Sequence, residues 1–338
     1  MEKRTSIRAD IDWSIPISEK AEEEMESNAK IYVAGAGGVA GSAIVRLLQQ
    51  QRYMQLLLPS HGDLDLTNQA DVETFFQRER PDYVFFTAVR MGGILYRNEH
   101  PADILFDNLA MQSNAIRAAH EYGTKKLLFM SSDFIYPDTD SGILREEDFL
   151  SGQLPQKDRP YTLAKIEGIK LCDYYRQQYG DDFFTVVPCA FFGINSSFDL
   201  QRANVIGALI RRFHEAKCNG TPELVLWGSG KPVKEFLYCD DVAQACLFLM
   251  NQRTDAGIFN IGAGTGGISI MEAAQTVRKV VGFKGEITCD LSKPDGMMRR
   301  VMDSNRLRKL GWQPQHSFEQ AVELTYQHFL TTEYAHIR

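Results

Sequence analysis

From Lys30 onward the chain alternates short apolar runs with longer stretches whose apolar residues recur at helical spacing. IYVAG (31–35) reads as a buried strand, and Gly41 to Gln51 as a helix with Ala43, Ile44, Leu47 and Leu48 on one face. The same alternation predicts strands from Gln55, over Tyr83 to Ala88, Lys126 to Ser132 and Phe183 to Pro188. Helices are predicted over Val72 to Arg78, Ile104 to His120 and Tyr161 to Tyr179. Strands that are apolar throughout belong to a parallel sheet covered on both faces. The expected fold class is therefore α/β, a doubly wound parallel Rossmann sheet.

After Pro188 the alternation loosens. Short strands are predicted at Leu224 to Trp227, Phe236 to Tyr238, Ile258 to Ile261 and Glu286 to Thr288, with helices at Asp241 to Asn251, Ser269 to Val281 and Ser317 to Phe329. This reads as a smaller α/β lobe. The expected domains are an N-terminal extension over 1–29, an NAD(P)-binding Rossmann domain over 30–188, and a mainly substrate-binding lobe over 189–338 with segments returning to the Rossmann domain. A chain of 338 residues has room for both lobes. The acidic run Glu19 to Glu26 has two readings, a frayed helix or a solvated extension without catalytic part.

Composition narrows the function classes. A net charge of -7 argues against a nucleic-acid partner. The six cysteines are scattered with no CxxC pair, which speaks against zinc and disulfides and for a reducing cytoplasm. No apolar run approaches the ~20 residues of a membrane span, and the first 28 residues lack the apolar core of a secretion signal.

Two segments carry candidate chemistry. AGAGGVAG (34–41) joins the first strand to the first helix, with Gly35, Gly38 and Gly41 at G-x-x-G-x-x-G spacing and Gly37 and Val39 between them. Glycines allow a tight turn and close approach of backbone N–H groups to a pyrophosphate, at a helix N-terminus that attracts anions. The choice between NAD and NADP stays open, because the second strand ends at Leu58, Pro59, Ser60 and His61 with neither a clean acid nor an arginine. Asp65, with Leu66, either meets an adenine edge or stands as a helix N-terminal carboxylate before Thr67. Further on, Tyr161 and Lys165 form Y-x-x-x-K, which places both on one helix face. A nearby ammonium favours the phenolate and lowers a tyrosine pKa toward neutrality. Such a tyrosine can exchange a proton with a carbonyl or hydroxyl while hydride moves to or from a nicotinamide. Ser132, at the end of the fourth strand, can hydrogen-bond the same oxygen.

Further segments carry a resemblance that covers nearly all of the chain after Lys30: RMGGI from Arg90, PADILFDNLAMQSNAI from Pro101, SSDFIYP from Ser131, PYTLAKIEGIKLC from Pro160, VIGALIRRFHEAK from Val205, LWGSGKPVKEFLYCDDVA from Leu226 and SKPDGMMRR from Ser292. In these the chain resembles the GDP-L-fucose synthase family of extended short-chain dehydrogenases, NADPH-dependent 3,5-epimerase/4-reductases. The resemblance implies a homodimer acting on a GDP-linked sugar, with Ser132, Tyr161 and Lys165 as the reductase triad. It implies Ala88, Asn108 and Pro188 at the cofactor, and Gly92, Arg212, Trp227, Lys234, Asp295 and Arg300 at the substrate. Cations suit a diphosphate, and tryptophan offers a flat apolar face.

The departures carry as much information. Where the family has its epimerase cysteine and histidine, this chain has Phe134 and Asn204, neither of which transfers protons near neutral pH. The family's asparagine after the next strand is Ala190. Two arginines that favour the NADP 2′-phosphate are Gly37 and His61, and the arginine before E-F is Lys234, which keeps charge without the fork. The first expectation is a GDP-4-keto-sugar C4 reductase without epimerase groups. The alternatives are a complete fucose synthase with acid–base work moved to Asp133, Tyr136 or Cys189, a GDP-hexose or heptose 4-dehydrogenase, and a non-enzymatic dinucleotide-binding regulator.

Overall fold

The computed structural model describes residues 24–91, 94–154, 159–253 and 257–336. The chain begins with β1 (Lys30–Ala34), α1 (Val39–Gln50), β2 (Gln55–Leu57), α2 (Gln69–Glu79) and β3 (Tyr83–Phe86). It continues with α3 (Ile94–Glu99), α4 (Pro101–Glu121), β4 (Lys126–Met130), β5 (Ile143–Leu144), α5 (Arg159–Tyr179) and β6 (Asp182–Pro188). Then come β7 (Ala190–Phe192), α6 (Val205–Cys218), β8 (Glu223–Trp227), β9 (Val233–Lys234), β10 (Phe236–Tyr238), α7 (Cys239–Met250) and β11 (Ile258–Ile261). The last part holds β12 (Ile268–Ser269), α8 (Ile270–Val281), β13 (Glu286–Asp290), β14 (Arg299–Met302), α9 (Asn305–Lys309) and α10 (Phe318–Phe329).

Six strands form one parallel sheet in the order β11-β6-β4-β3-β1-β2. All its strands but the edge strand β2 are buried whichever way their side chains point: all of β3, β4 and the other edge strand β11 is buried, and β1 and β6 after their first residues. Such strands need cover on both faces. α2, α4 and α5 pack side by side, while α1 packs against α7. The order reverses at β1, which leads outward to β2 while β3 lies on its other side. That switch point leaves a crevice at the carboxyl ends of β1 and β3, where open α/β sheets take their ligands.

Beyond β6 the chain builds a second layer of short sheets: β12-β9-β14-β5, β10 with β7, and β13 with β8. It also returns twice to the main body, as β11 on the sheet edge and as α7 beside α1. β5, which follows the fourth strand closely in sequence, pairs with β14 near the other end of the chain. The end of the extension is not helical where described. Met25 is buried, its N–H donates to Asn251 Oδ1 at 3.1 Å, and Glu26 accepts from Tyr83 at 2.7 Å and pairs with Lys125 at 2.6 Å. Residues 1–23 of the acidic extension lie outside the described residues. Among the described residues no helix is long and apolar enough to cross a membrane, and no cluster of three ligating side chains stands ready for a metal.

Candidate active site

The glycine loop sits at the switch point, and its glycines differ in what they do. Gly35 has φ +81°, and a Cβ there would lie 2.8 Å from the Cα of Ala88. At Gly41 a Cβ would come within 2.1 Å of the Gly35 carbonyl oxygen. These two let the loop fold onto itself and onto the end of β3. Gly38 caps α1 without a side-chain bond, no acidic residue stands in the helix's first turn, and a Cβ at Gly37 meets open space. The first N–H groups of α1 thus face outward with no competing carboxylate, an arrangement that fits a dinucleotide pyrophosphate.

Of the other expected cofactor positions, only Ala88 is placed against this loop, at Gly35. Leu66 and Ala88 are nearly buried, Pro188 ends β6, and His61 is exposed in the turn after β2. Asp65 is not a helix cap. Its Oδ1 accepts from Thr67 N at 2.9 Å and Oγ1 at 2.7 Å, bonds that hold its carboxyl below the usual range, while Asn68 caps α2. Asn108 is buried and spends its amide on backbone, accepting from Arg90 N and donating to the carbonyls of Arg90 and Ile104. It fixes the segment after β3. Gly92 lies outside the described residues.

Ser132, Tyr161 and Lys165 meet in one cavity of about 1000 Å³, which also reaches Gly38, Val39 and Gly41. Tyr161 and Lys165 lie one turn apart on α5. Gly168, a turn further, lets α5 sit tight on β4: a Cβ there would fall 2.4 Å from the Phe129 ring. Lys165 is 2 % exposed and donates to the Met130 carbonyl at 2.9 Å. Its Nζ stands 4.6 Å from the Phe129 ring centre and 5.9 Å from that of Tyr161. Burial pushes its ammonium down to about 7. Ser132 caps the one-turn 3-10 helix Asp133–Ile135; its Oγ accepts from Phe134 N at 3.5 Å and donates to Asp133 Oδ1 at 3.3 Å.

The same cavity is also lined by Arg212, Trp227, Lys234 and Asp295, together with Phe134, Asn204 and Arg300. Trp227 is 73 % exposed, with Lys293 5.8 Å from its ring. Arg212 donates to the Val225 carbonyl at 2.5 Å. Asp295 accepts from Ser229 N at 2.8 Å and Oγ at 2.6 Å, which ties two loops together and lowers its carboxyl pKa. Phe134 meets the Tyr161 ring edge-on at 6.3 Å. Asn204 caps α6, accepting from Gly207 N at 2.8 Å and donating to the Phe191 carbonyl at 3.1 Å.

Of the three other side chains weighed for epimerisation, Asp133 and Cys189 line the same cavity and Tyr136 does not. Asp133 is ion-paired with Arg300 at 2.8 Å. Tyr136 is fully buried, donates to Asn260 Oδ1 at 2.6 Å, and has its pKa pushed well up by desolvation. Cys189 is buried, and desolvation raises its thiol well above the ordinary range. Sequence reasoning missed the apolar lining of the cavity, notably Val89, Met91, Met130 and Met297. Met91 and Met297 sit in the resembling segments, but nothing in a methionine's spacing shows which way it points.

Residues Ile31 to Gly262 match the NAD dependent epimerase/dehydratase family model. The chain is 45 % identical over 305 residues to GDP-L-fucose synthase 1 of Arabidopsis thaliana, covering 90 % of this chain and 94 % of that one. It is 41 % identical over 315 residues to the GDP-L-fucose synthase of Escherichia coli K12, covering 91 % and 98 %. Among solved structures it is similar to a GDP-mannoheptose C4 reductase from Campylobacter jejuni with NADP bound, at TM-score 0.82 and 33 % identity, over 91 % of this chain and 100 % of that one. With the glycine loop at the switch point and Ser132, Tyr161 and Lys165 in one cavity, the chain belongs to the NAD dependent epimerase/dehydratase family, in the part of it that holds the GDP-L-fucose synthases and their reductase relatives.

Proposed function

We propose that this chain reduces the C4 ketone of a GDP-linked 4-keto-sugar with NADH or NADPH and leaves C3 and C5 untouched. The observation that carries the reading is a complete Ser132–Tyr161–Lys165 set in a cavity where the second acid–base pair is replaced by Phe134 and by a helix-capping Asn204. The relatives' GDP-sugar chemistry and the C4 reductase among the similar structures support the substrate class.

Each residue's part follows from its chemistry. A nicotinamide cofactor, when bound, supplies the hydride. Tyr161 gives a proton to the C4 oxygen, so that ketone plus hydride plus proton gives a hydroxyl. Ser132 donates a hydrogen bond to that oxygen. Lys165 stabilises the phenolate left on Tyr161. Arg212 and Lys234 suit the diphosphate, and Trp227 suits a stacked guanine.

Purified protein mixed with GDP-4-keto-6-deoxymannose is expected to consume reduced cofactor and yield a GDP-6-deoxyhexose with its C3 and C5 configurations retained. Running NADH beside NADPH decides cofactor preference. An L-configured product would replace this reading with that of a complete fucose synthase.

A further inference from the structure

Arg300 is 6 % exposed, and its guanidinium is directed at the catalytic turn rather than at open space. Nε donates to Asp133 Oδ2 at 2.8 Å, and Nη2 donates to the Asp133 carbonyl. Nη1 lies 3.5 Å from both Asp138 Oδ1 and Met297 Sδ. The guanidinium carbon stands 5.9 Å from the Phe134 ring centre, and that ring meets Tyr161 edge-on. Asp133 is the residue after Ser132 and opens the turn that Ser132 caps. Arg300 thus grips the turn by side chain and backbone at once, in a fork that a lysine cannot reproduce.

The other end of this grip is on the substrate lobe. Arg300 lies in β14 directly opposite Lys234 in β9. The next residue along, Glu235, accepts from Met302 N at 2.8 Å and Gly264 N at 3.0 Å, which locks the two strands together. β14 also pairs with β5, the strand that follows the catalytic turn. One small sheet therefore carries a cation suited to a diphosphate and, beside it, the anchor of the turn that holds Ser132.

We propose that Arg300 is a positioning residue: its bonds to Asp133 set the orientation of Ser132 and of the Phe134–Tyr161 pair, and tie that orientation to the ribbon that carries Lys234. Arg300 is not a ligand of the substrate's phosphates. This rests on the C4-reductase reading for the step it serves, but its binding arm does not.

The test uses Asp133→Asn, Arg300→Gln, Arg300→Lys and the Asp133→Asn/Arg300→Gln double variant, each in the full-length chain. Calorimetry with GDP should give a Kd within twofold of wild type for every variant; a tenfold loss in Arg300→Gln overturns the proposal by making Arg300 a phosphate ligand. With a GDP-4-keto-sugar, kcat should fall about 10- to 100-fold in Asp133→Asn and Arg300→Gln, with KM within threefold. The double variant should be no slower than the slower single one, and Arg300→Lys should recover only part of the loss. Multiplicative losses in the double variant, or a rise in KM at constant kcat, contradict it. If wild type turns over no GDP-4-keto-sugar, the reductase reading fails, and the GDP arm still decides whether Arg300 holds phosphate. Asp133→Asn is nearly isosteric and keeps the test open should Arg300→Gln fold poorly.

Discussion

Lys165 is placed where its two tasks conflict. The proposed reduction needs an ammonium beside the Tyr161 phenolate, whereas desolvation in the buried site disfavours the charge and brings its ammonium down to about 7. Between about 7 and the ordinary lysine value the unfolded chain holds a proton that the cofactor-free folded chain has released. Stability must therefore rise with pH through that window and be lost as pH falls back toward 7. Lys165→Met removes this dependence. In denaturant titrations from pH 7 to 9, wild type should gain on the variant by up to about 1.4 kcal/mol per pH unit; parallel curves would contradict the burial argument. Tyr161→Phe keeps the ring and removes the proton. It should lower C4 reduction by at least ~100-fold while cofactor Kd, followed by fluorescence, stays within a few fold. Y-x-x-x-K spacing is common on helices by itself; in the sequence these two residues stand out only through the combined order of glycine loop, Ser132, Tyr161 and Lys165 on an α/β pattern. The parts of Asn204 and Asp133 are not legible there, because whether a polar side chain faces a ligand, caps a helix or pairs with an arginine 167 positions away depends on the packing around it.

At the scale of elements, the glycine loop separates folding from binding. A methyl group at Gly41 would collide with backbone at 2.1 Å, where nothing flexible can yield, whereas one at Gly37 meets nothing within 4 Å. Gly41→Ala should destabilise the protein by about 1–3 kcal/mol and weaken cofactor binding. Gly37→Ala should melt within a degree or two of wild type. Thermal melts with and without NADPH check both. The sheet strands and most long helices are readable in the sequence as apolar runs or helical repeats, whereas the 14-residue α6 is not among the elements that the pattern predicts. Nor are β5, β7, β9, β12 and β14, since strands of two to four residues held by distant partners carry no period of their own. An aspartate two residues before Thr67 looks the same in sequence whether it caps a helix or closes the turn before one, and the structure shows Asp65 closing the turn.

For the whole molecule, the sequence order of the lobes is not their spatial order. The small sheet β12-β9-β14-β5 draws its strands from a span of the chain running from Ile143 to Met302, and the main sheet takes β11 from within the stretch that builds the second layer. This weaving puts Ser132, Lys234 and Arg300 around one cavity. Outside it, α4 and α5 pack together and expose Phe106, Leu163 and Tyr174. We propose that these exposed side chains form a homodimer face; if so, Phe106→Glu with Leu163→Glu shifts light-scattering mass from two chains toward one, and a wild type already of one chain's mass contradicts it.

Reduction at C4 without epimerisation can be read from solvent exchange. The protein is incubated with GDP-4-keto-6-deoxymannose and reduced cofactor in deuterated water, and the product sugar is read by NMR. The expected result is a reduced C4 with no deuterium at C3 or C5. Deuterium at either carbon would show that an acid–base group works beside C4 after all, and would contradict the account built on Phe134, Asn204 and the ion-paired Asp133.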